Sequence, residues 1–191
     1  VLVLDGRASW PINLLEFIVV SMNAIEHPQF SKTPVMSRCL QLTFLFTILS
    51  LCWLAFQAVH EFGHVLAAWL THGRMAYVVL HPLRVSMTIL DANPHPGFVG
   101  WGGPVFGVVF PMAVFLIAKR IRNSQTYLFR FFCGFCCVGN GAYLLVDAFV
   151  QSGDGATLIR SGTDPNMIVL FGVIVMPIGF WLWHGQGNQF G

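Results

Sequence analysis

Charge is what this chain has least of. Lys, Arg, Asp and Glu make up 9% of its 191 residues, whereas a soluble domain carries them at about a quarter of its positions. So few charges cannot cover a water-facing globule, and the mean hydropathy of +0.69 points to a bilayer as the solvent. The basic excess is equally thin. A formal net charge of +2, dispersed along the chain, offers no cationic face for nucleic acid. A disulfide framework is not expected either, because the five cysteines are odd in number and Cys133, Cys136 and Cys137 share one apolar stretch, where they read as small packing groups. Glutamate is rarer still. Glu16, Glu26 and Glu61 are the only three, so none follows position 61. The chain begins at Val1 rather than Met, which suggests a fragment, and no signal peptide is assigned to its first residues.

Against this scarcity stand four long uncharged runs: Gln41 to Val59, Phe98 to Ala118, Phe131 to Val146, and Pro165 to Trp183. About 20 helical residues at 1.5 Å each cross the roughly 30 Å hydrocarbon core. The expected fold is therefore an α-helical, multi-pass integral membrane protein with about four transmembrane helices, the first running from about Leu40 to Thr71. Trp10 to Ile25 is also apolar but contains Glu16 and Asn23, so it reads as an interfacial or reentrant helix before a fifth span. This divides the chain into an N-terminal segment, residues 1–39, and a membrane core, residues 40–191. Between the first two spans, Tyr77 to Leu90 is rich in β-branched residues and bounded by Gly73 and Pro94-His95-Pro96-Gly97, which predicts a short strand or hairpin at the membrane. Asn123 to Thr126 and Gln151 to Gly155 read as turns.

The first run ends in His60-Glu61-Phe62-Gly63-His64. Four residues apart on a helix, His60 and His64 project from one face and can reach a single Zn²⁺ at about 2.0 to 2.1 Å. Glu61 stands beside them, able to take a proton from water without being a ligand. This is the HExxH arrangement of zinc hydrolases, and random placement of this composition would produce it in well under roughly one sequence in fifty. Three ionisable groups inside an apolar helix each cost about 2.5 kcal/mol or more on insertion scales, and a bound metal would offset that cost.

A catalytic zinc usually takes three protein ligands and keeps one position open. No glutamate lies downstream to supply the third, and Leu70 occupies the position where a metzincin places its third histidine. Topology favours an aspartate. The third span returns toward the HExxH end and delivers Asp147 and Asp154 to its depth. Asp154 is preferred because Gly153 and Gly155 let the backbone turn sharply beside a metal; Asp147 is the alternative, or else a helix-end carboxylate or a group that orients a ligand. His72, His81, His95 and His184 are expected at the surface or interface.

In their order, these residues resemble the site-2 proteases, intramembrane zinc metalloproteases that cut membrane-spanning substrates. The resemblance covers roughly Leu40 to Gly162. It rests on HExxH within a membrane helix, a β-rich stretch after it, Gly102-Gly103-Pro104 opening the next span, and Asn140 followed by Gly153-Asp154-Gly155. It implies His60, His64 and Asp154 as zinc ligands, Glu61 as the base, and Asn140 as a substrate contact. It also implies peptide-bond hydrolysis, with a membrane protein as substrate and the lipid bilayer as surroundings. Many members carry prolines between that asparagine and an Asp-Gly pair. Here Asn140 to Asp154 contains none and includes Asp147, so the likeness is to a shorter, less characterised branch. The alternatives are a non-hydrolytic metal-binding membrane protein, such as a transporter or sensor, and a catalytically silent interaction protein.

Overall fold

The computed structural model describes residues 34–190, and the Trp10 to Ile25 segment lies outside the described residues. The chain divides into two units, residues 1–40 and 41–191, and all contacts below are within the second. Four helices are long and apolar enough to cross a membrane, and a two-stranded antiparallel sheet accompanies them. The first, α1 (Pro34–Leu70), starts several residues ahead of the expected boundary and at 37 residues is about 55 Å long. Next come β1 (Arg74–Val79) and β2 (Met87–Ala92), then α2 (Pro96–Arg120), α3 (Thr126–Val150), the short α4 (Gly153–Arg160) and α5 (Pro165–Trp183).

The helix ends follow from local chemistry. Proline opens α2 and α5, where its missing N–H leaves no orphan and its φ is already helical. The Asp164 side chain caps α5 by accepting from the Asn166 N–H at 2.9 Å. Lys119 and Arg120 close α2, at the end where the helix dipole favours cations.

Small residues let the helices approach. α3 and α5 run antiparallel, and a Cβ at Gly172 would lie 2.7 Å from the Gly141 carbonyl oxygen, one at Gly179 2.8 Å from that of Gly134. Backbones this close gain dispersion contacts that lipid cannot replace, a usual basis of helix association in membranes. Cys133 and Cys137 pack with Phe115, Val175 and Leu182, and Cys133, Cys136 and Cys137 are buried free thiols, so the three clustered cysteines serve as packing groups. Leu144, Leu158 and Ile168 form a second cluster joining α3, α4 and α5. Large apolar side chains also face outward. Phe46 is 74% and Trp69 72% exposed, an arrangement that suits lipid and would be a liability in water.

The β-rich stretch is a hairpin slightly wider than expected, paired through Tyr77 with Ile89 and Val79 with Met87. Its connecting loop is tied to α1 by the Trp53 indole N–H, which donates to the Pro82 carbonyl at 2.8 Å.

Candidate metal centre

His60 and His64 lie one turn apart on α1, and Asp154 reaches them from the first turn of α4. Their ligand atoms form the one group of three or more His, Cys, Asp or Glu able to hold a metal ion among the described residues. His60 Nε2 and His64 Nε2 are 3.1 Å apart, and Asp154 Oδ2 lies 3.0 Å from the first and 3.2 Å from the second. Ligands placed tetrahedrally about 2.0–2.1 Å from zinc sit roughly 3.3 Å from one another. The triangle is therefore already close to the size a metal would impose.

The outer nitrogens decide what the inner ones offer. His60 Nδ1 faces Asn140 Oδ1 at 2.8 Å, and His64 Nδ1 faces the Val99 carbonyl oxygen at 2.7 Å. Both partners only accept, so each Nδ1 carries its hydrogen and, in the neutral ring, each Nε2 presents a lone pair. The Asn140 amide is oriented in turn, its Nδ2 donating to the Cys136 carbonyl at 2.9 Å. Two lone pairs and a carboxylate oxygen then converge within one buried space, an arrangement that demands a cation or extra protons at its centre. The donor set thus fits a metal that accepts imidazole and carboxylate. Burial by itself pushes the Asp154 carboxyl upward, but His60 and His64, when extra protons on Nε2 make them cationic donors, outweigh it and hold the group well below the usual carboxylate range. Asp154 is accordingly ionised, the form a metal requires.

Asp154 is delivered by local backbone. Gln151 caps α3 in the left-handed region at φ 53°, and Gly153 follows at φ +52°. Glycine takes that conformation without a Cβ penalty, and a Cβ at Gly153 would run into Tyr143 Oη and Asp147 Oδ2. The expected turn over Gln151 to Gly155 is shorter than that, because α4 already begins at Gly153. Asp147 explains it: Oδ1 accepts from Ser152 Oγ at 2.9 Å and Oδ2 from the Gly155 N–H at 3.2 Å. These bonds satisfy donors at the start of α4 and nucleate the helix there. Asp147, the alternative ligand, is therefore bound to the α4 terminus and outside the ligand triangle.

Asn140 was expected to touch substrate. Its side chain is fully buried and bridges His60 to the Cys136 carbonyl, where it orients the His60 imidazole. Gly102 and Gly103 supply space. A Cβ at Gly103 would overlap the His64 imidazole, and a Cβ at Gly102 would lie 2.6 Å from the Gly63 carbonyl oxygen. His72, His81, His95 and His184 are all exposed.

Glu61 is buried but not idle. Its Oε1 accepts from Ser86 Oγ at 2.6 Å and its Oε2 from Thr88 Oγ1 at 2.5 Å. A carboxylate offers about four acceptor positions, so each oxygen keeps capacity for a further proton donor. Ser86 and Thr88 were missed in the sequence because hydroxyls in a short β segment are ordinary; only their alternate spacing, which puts both on one face, hinted at shared work. All of these groups line a cavity of about 570 Å³ that includes His60, Glu61, His64, Ser86, Thr88 and Asp154. Asn93 lines it too, with an Oδ1 that has no hydrogen-bond partner among the described residues.

Comparison with protein-family models, curated proteins and solved structures gave no match. The class defined by fold and site is a chain with four helices suited to crossing a membrane and a buried His₂Asp group able to bind a metal ion.

Proposed function

We propose that this chain is an intramembrane zinc metalloprotease of the site-2 protease type, hydrolysing peptide bonds of membrane-spanning substrates. One observation carries the reading: three ligand atoms at zinc-ligand separations share a cavity with a buried glutamate that is not one of them. An imidazole pair with one carboxylate is a catalytic zinc donor set. His60 lies about 15 Å of helix from the Leu70 end of α1, near half the thickness of a hydrocarbon core. That spacing supports chemistry at membrane depth within an integral membrane protein.

Zinc, when bound, would acidify water and polarise the scissile carbonyl. Glu61 takes a proton from water in the cavity and passes it to the nitrogen of the departing amine. Ser86 and Thr88 hold both carboxylate oxygens in place, so little reorientation is needed at the moment of transfer. Asn140 and the Val99 carbonyl keep the two imidazoles in the Nδ1–H tautomer, with Nε2 free to ligate. The cavity walls supply room for water and an extended peptide.

The rival reading, a non-hydrolytic transporter or sensor, would leave Glu61 dispensable or enlist it as an ion ligand. Glu61 lies outside the group of three ligand atoms while lining the same cavity, which favours a base over an ion ligand.

The test is elemental analysis of detergent-purified protein alongside cleavage of model transmembrane peptides by wild type and Glu61→Gln. About one zinc per chain in both proteins, with cleavage by wild type alone, is the expected result. Absence of zinc from the wild type would overturn the proposal, and cleavage undiminished in Glu61→Gln would overturn the role of Glu61.

A further inference from the structure

Next to the metal cavity lies a second one, of different chemistry. Its volume is about 200 Å³, larger than the roughly 150 Å³ cavity that suffices to hold benzene. Trp53, Phe56, Gln57 and His60 form one stripe of α1, spaced i, i+3, i+4 and i+7, and make one wall. Phe135, Val138 and Gly139 of α3 make the opposite wall, and Trp183 of α5 closes it. The aromatic rings brace one another: Phe56 lies 6.0 Å from Trp53 and 6.0 Å from Phe135 between ring centroids, and Phe135 lies 6.4 Å from Trp183. His60, Val85, Ser86 and Tyr143 line both cavities, so the apolar space opens directly beside the ligand histidine.

One feature of this wall is out of place in an apolar chamber. Gln57 is buried at 3% exposure, and neither its amide nitrogen nor its amide oxygen has a hydrogen-bond partner among the described residues. Within a water-poor helix bundle such an amide is expensive to leave unpaired. A peptide group is its natural complement, because it presents one N–H and one C=O to the oxygen and nitrogen of the carboxamide. An extended peptide crossing the metal site would bring such a group past His60 and seat an adjoining side chain against the Phe56 and Phe135 rings.

We propose that this cavity is a specificity subsite that receives a bulky apolar side chain of the substrate, leucine or phenylalanine in size, next to the scissile bond. Gln57 pairs with the peptide group that carries that side chain. The proposal rests on the hydrolase reading above and identifies which substrates it would cut. The ring cluster sets the upper size limit, and among the described residues no Asp, Glu, Lys or Arg lines the chamber, which disfavours acidic and basic side chains.

The test uses zinc-loaded, full-length protein and a series of transmembrane peptides in which each residue flanking the cleaved bond is varied in turn among Ala, Leu, Phe and Lys. At one flanking position, Leu or Phe is expected to exceed Ala in kcat/KM by at least about tenfold, the range a hydrophobic pocket provides. Gly139→Ala places a methyl 2.9 Å from Phe56 Cε2, narrows the chamber, and is expected to abolish the preference for Phe while Ala peptides are still cut. Gln57→Leu is expected to raise KM about tenfold with kcat and zinc content held, the signature of a lost ground-state contact; a merely structural glutamine would leave KM unmoved.

Cleavage with no preference at either position overturns the subsite and leaves the hydrolase reading standing. No cleavage of any peptide by the zinc-loaded wild type overturns both. A lipid that co-purifies with wild type, is expelled by Gly139→Ala and accompanies indifferent cleavage assigns the chamber to an acyl chain and overturns the proposal.

Discussion

The Nδ1 atom of His60 and the Oδ1 atom of Asn140, 80 residues apart in sequence, meet at 2.8 Å. This contact links α1 to α3 at the level of His60, His64 and Asp154 and leaves the Nε2 nitrogen of His60 as the one facing that group. Groups that orient a ligand histidine commonly account for 10- to 100-fold in metal affinity.

Asn140→Leu removes the acceptor with little change in size. Zinc affinity, measured by competition with a chromogenic chelator, is expected to fall by about 10- to 100-fold. Equal affinity in wild type and the leucine variant would show that His60 needs no such partner.

The two aspartates are expected to separate cleanly. Asp154→Asn should weaken zinc binding by ~100-fold or more, since a ligand charge is lost. Asp147→Asn should leave zinc stoichiometric and lower the thermal midpoint instead, because its bonds hold the start of α4 and not the metal. The reverse pattern would make Asp147 the ligand.

Ser86 and Thr88 each donate to the buried Glu61 carboxylate, and a hydrogen bond to a charged group contributes roughly 1.5–3 kcal/mol. Ser86→Ala and Thr88→Val are therefore each expected to destabilise the protein by about that amount, as read from denaturation in detergent. In the Glu61→Gln background the same substitutions should cost less, because the charge is gone; a double-mutant cycle with no coupling would contradict the pairing. Ser86→Thr and Thr88→Ser keep a hydroxyl and are expected to retain cleavage.

Gly103 bears on His64 by space alone. A methyl there overlaps the imidazole, so Gly103→Ala is expected to lose stoichiometric zinc with helix content by circular dichroism unchanged. Alanine favours a helix more than glycine does, so any loss of metal would not come from a weakened α2. Full zinc retention would mean that α2 yields and that the close approach is not required.

Much of this molecule is written locally. Hydropathy over 20 residues decides whether a helix can cross a membrane, and the run from Pro165 to Trp183 coincides with α5. The i, i+4 spacing of His60 and His64 places both rings on one face whatever surrounds them, and the β-branched stretch after α1 does form a hairpin. Boundaries were less legible. α4 starts where a loop was expected because its first donors are satisfied by Asp147, a residue of the preceding helix.

Relations between distant residues belonged to the tertiary structure. Sequence alone placed Asp147 and Asp154 at the same end of the third span, and only the left-handed step at Gln151 and Gly153 turned Asp154 toward the histidines and Asp147 toward the α4 terminus. His60 with Asn140, Glu61 with Ser86 and Thr88, and the aromatic chamber beside the Gln57 amide all depend on which faces of separate elements meet. Composition and periodicity settle what each segment can bury; side-chain contacts across the fold settle which buried polar groups find one another.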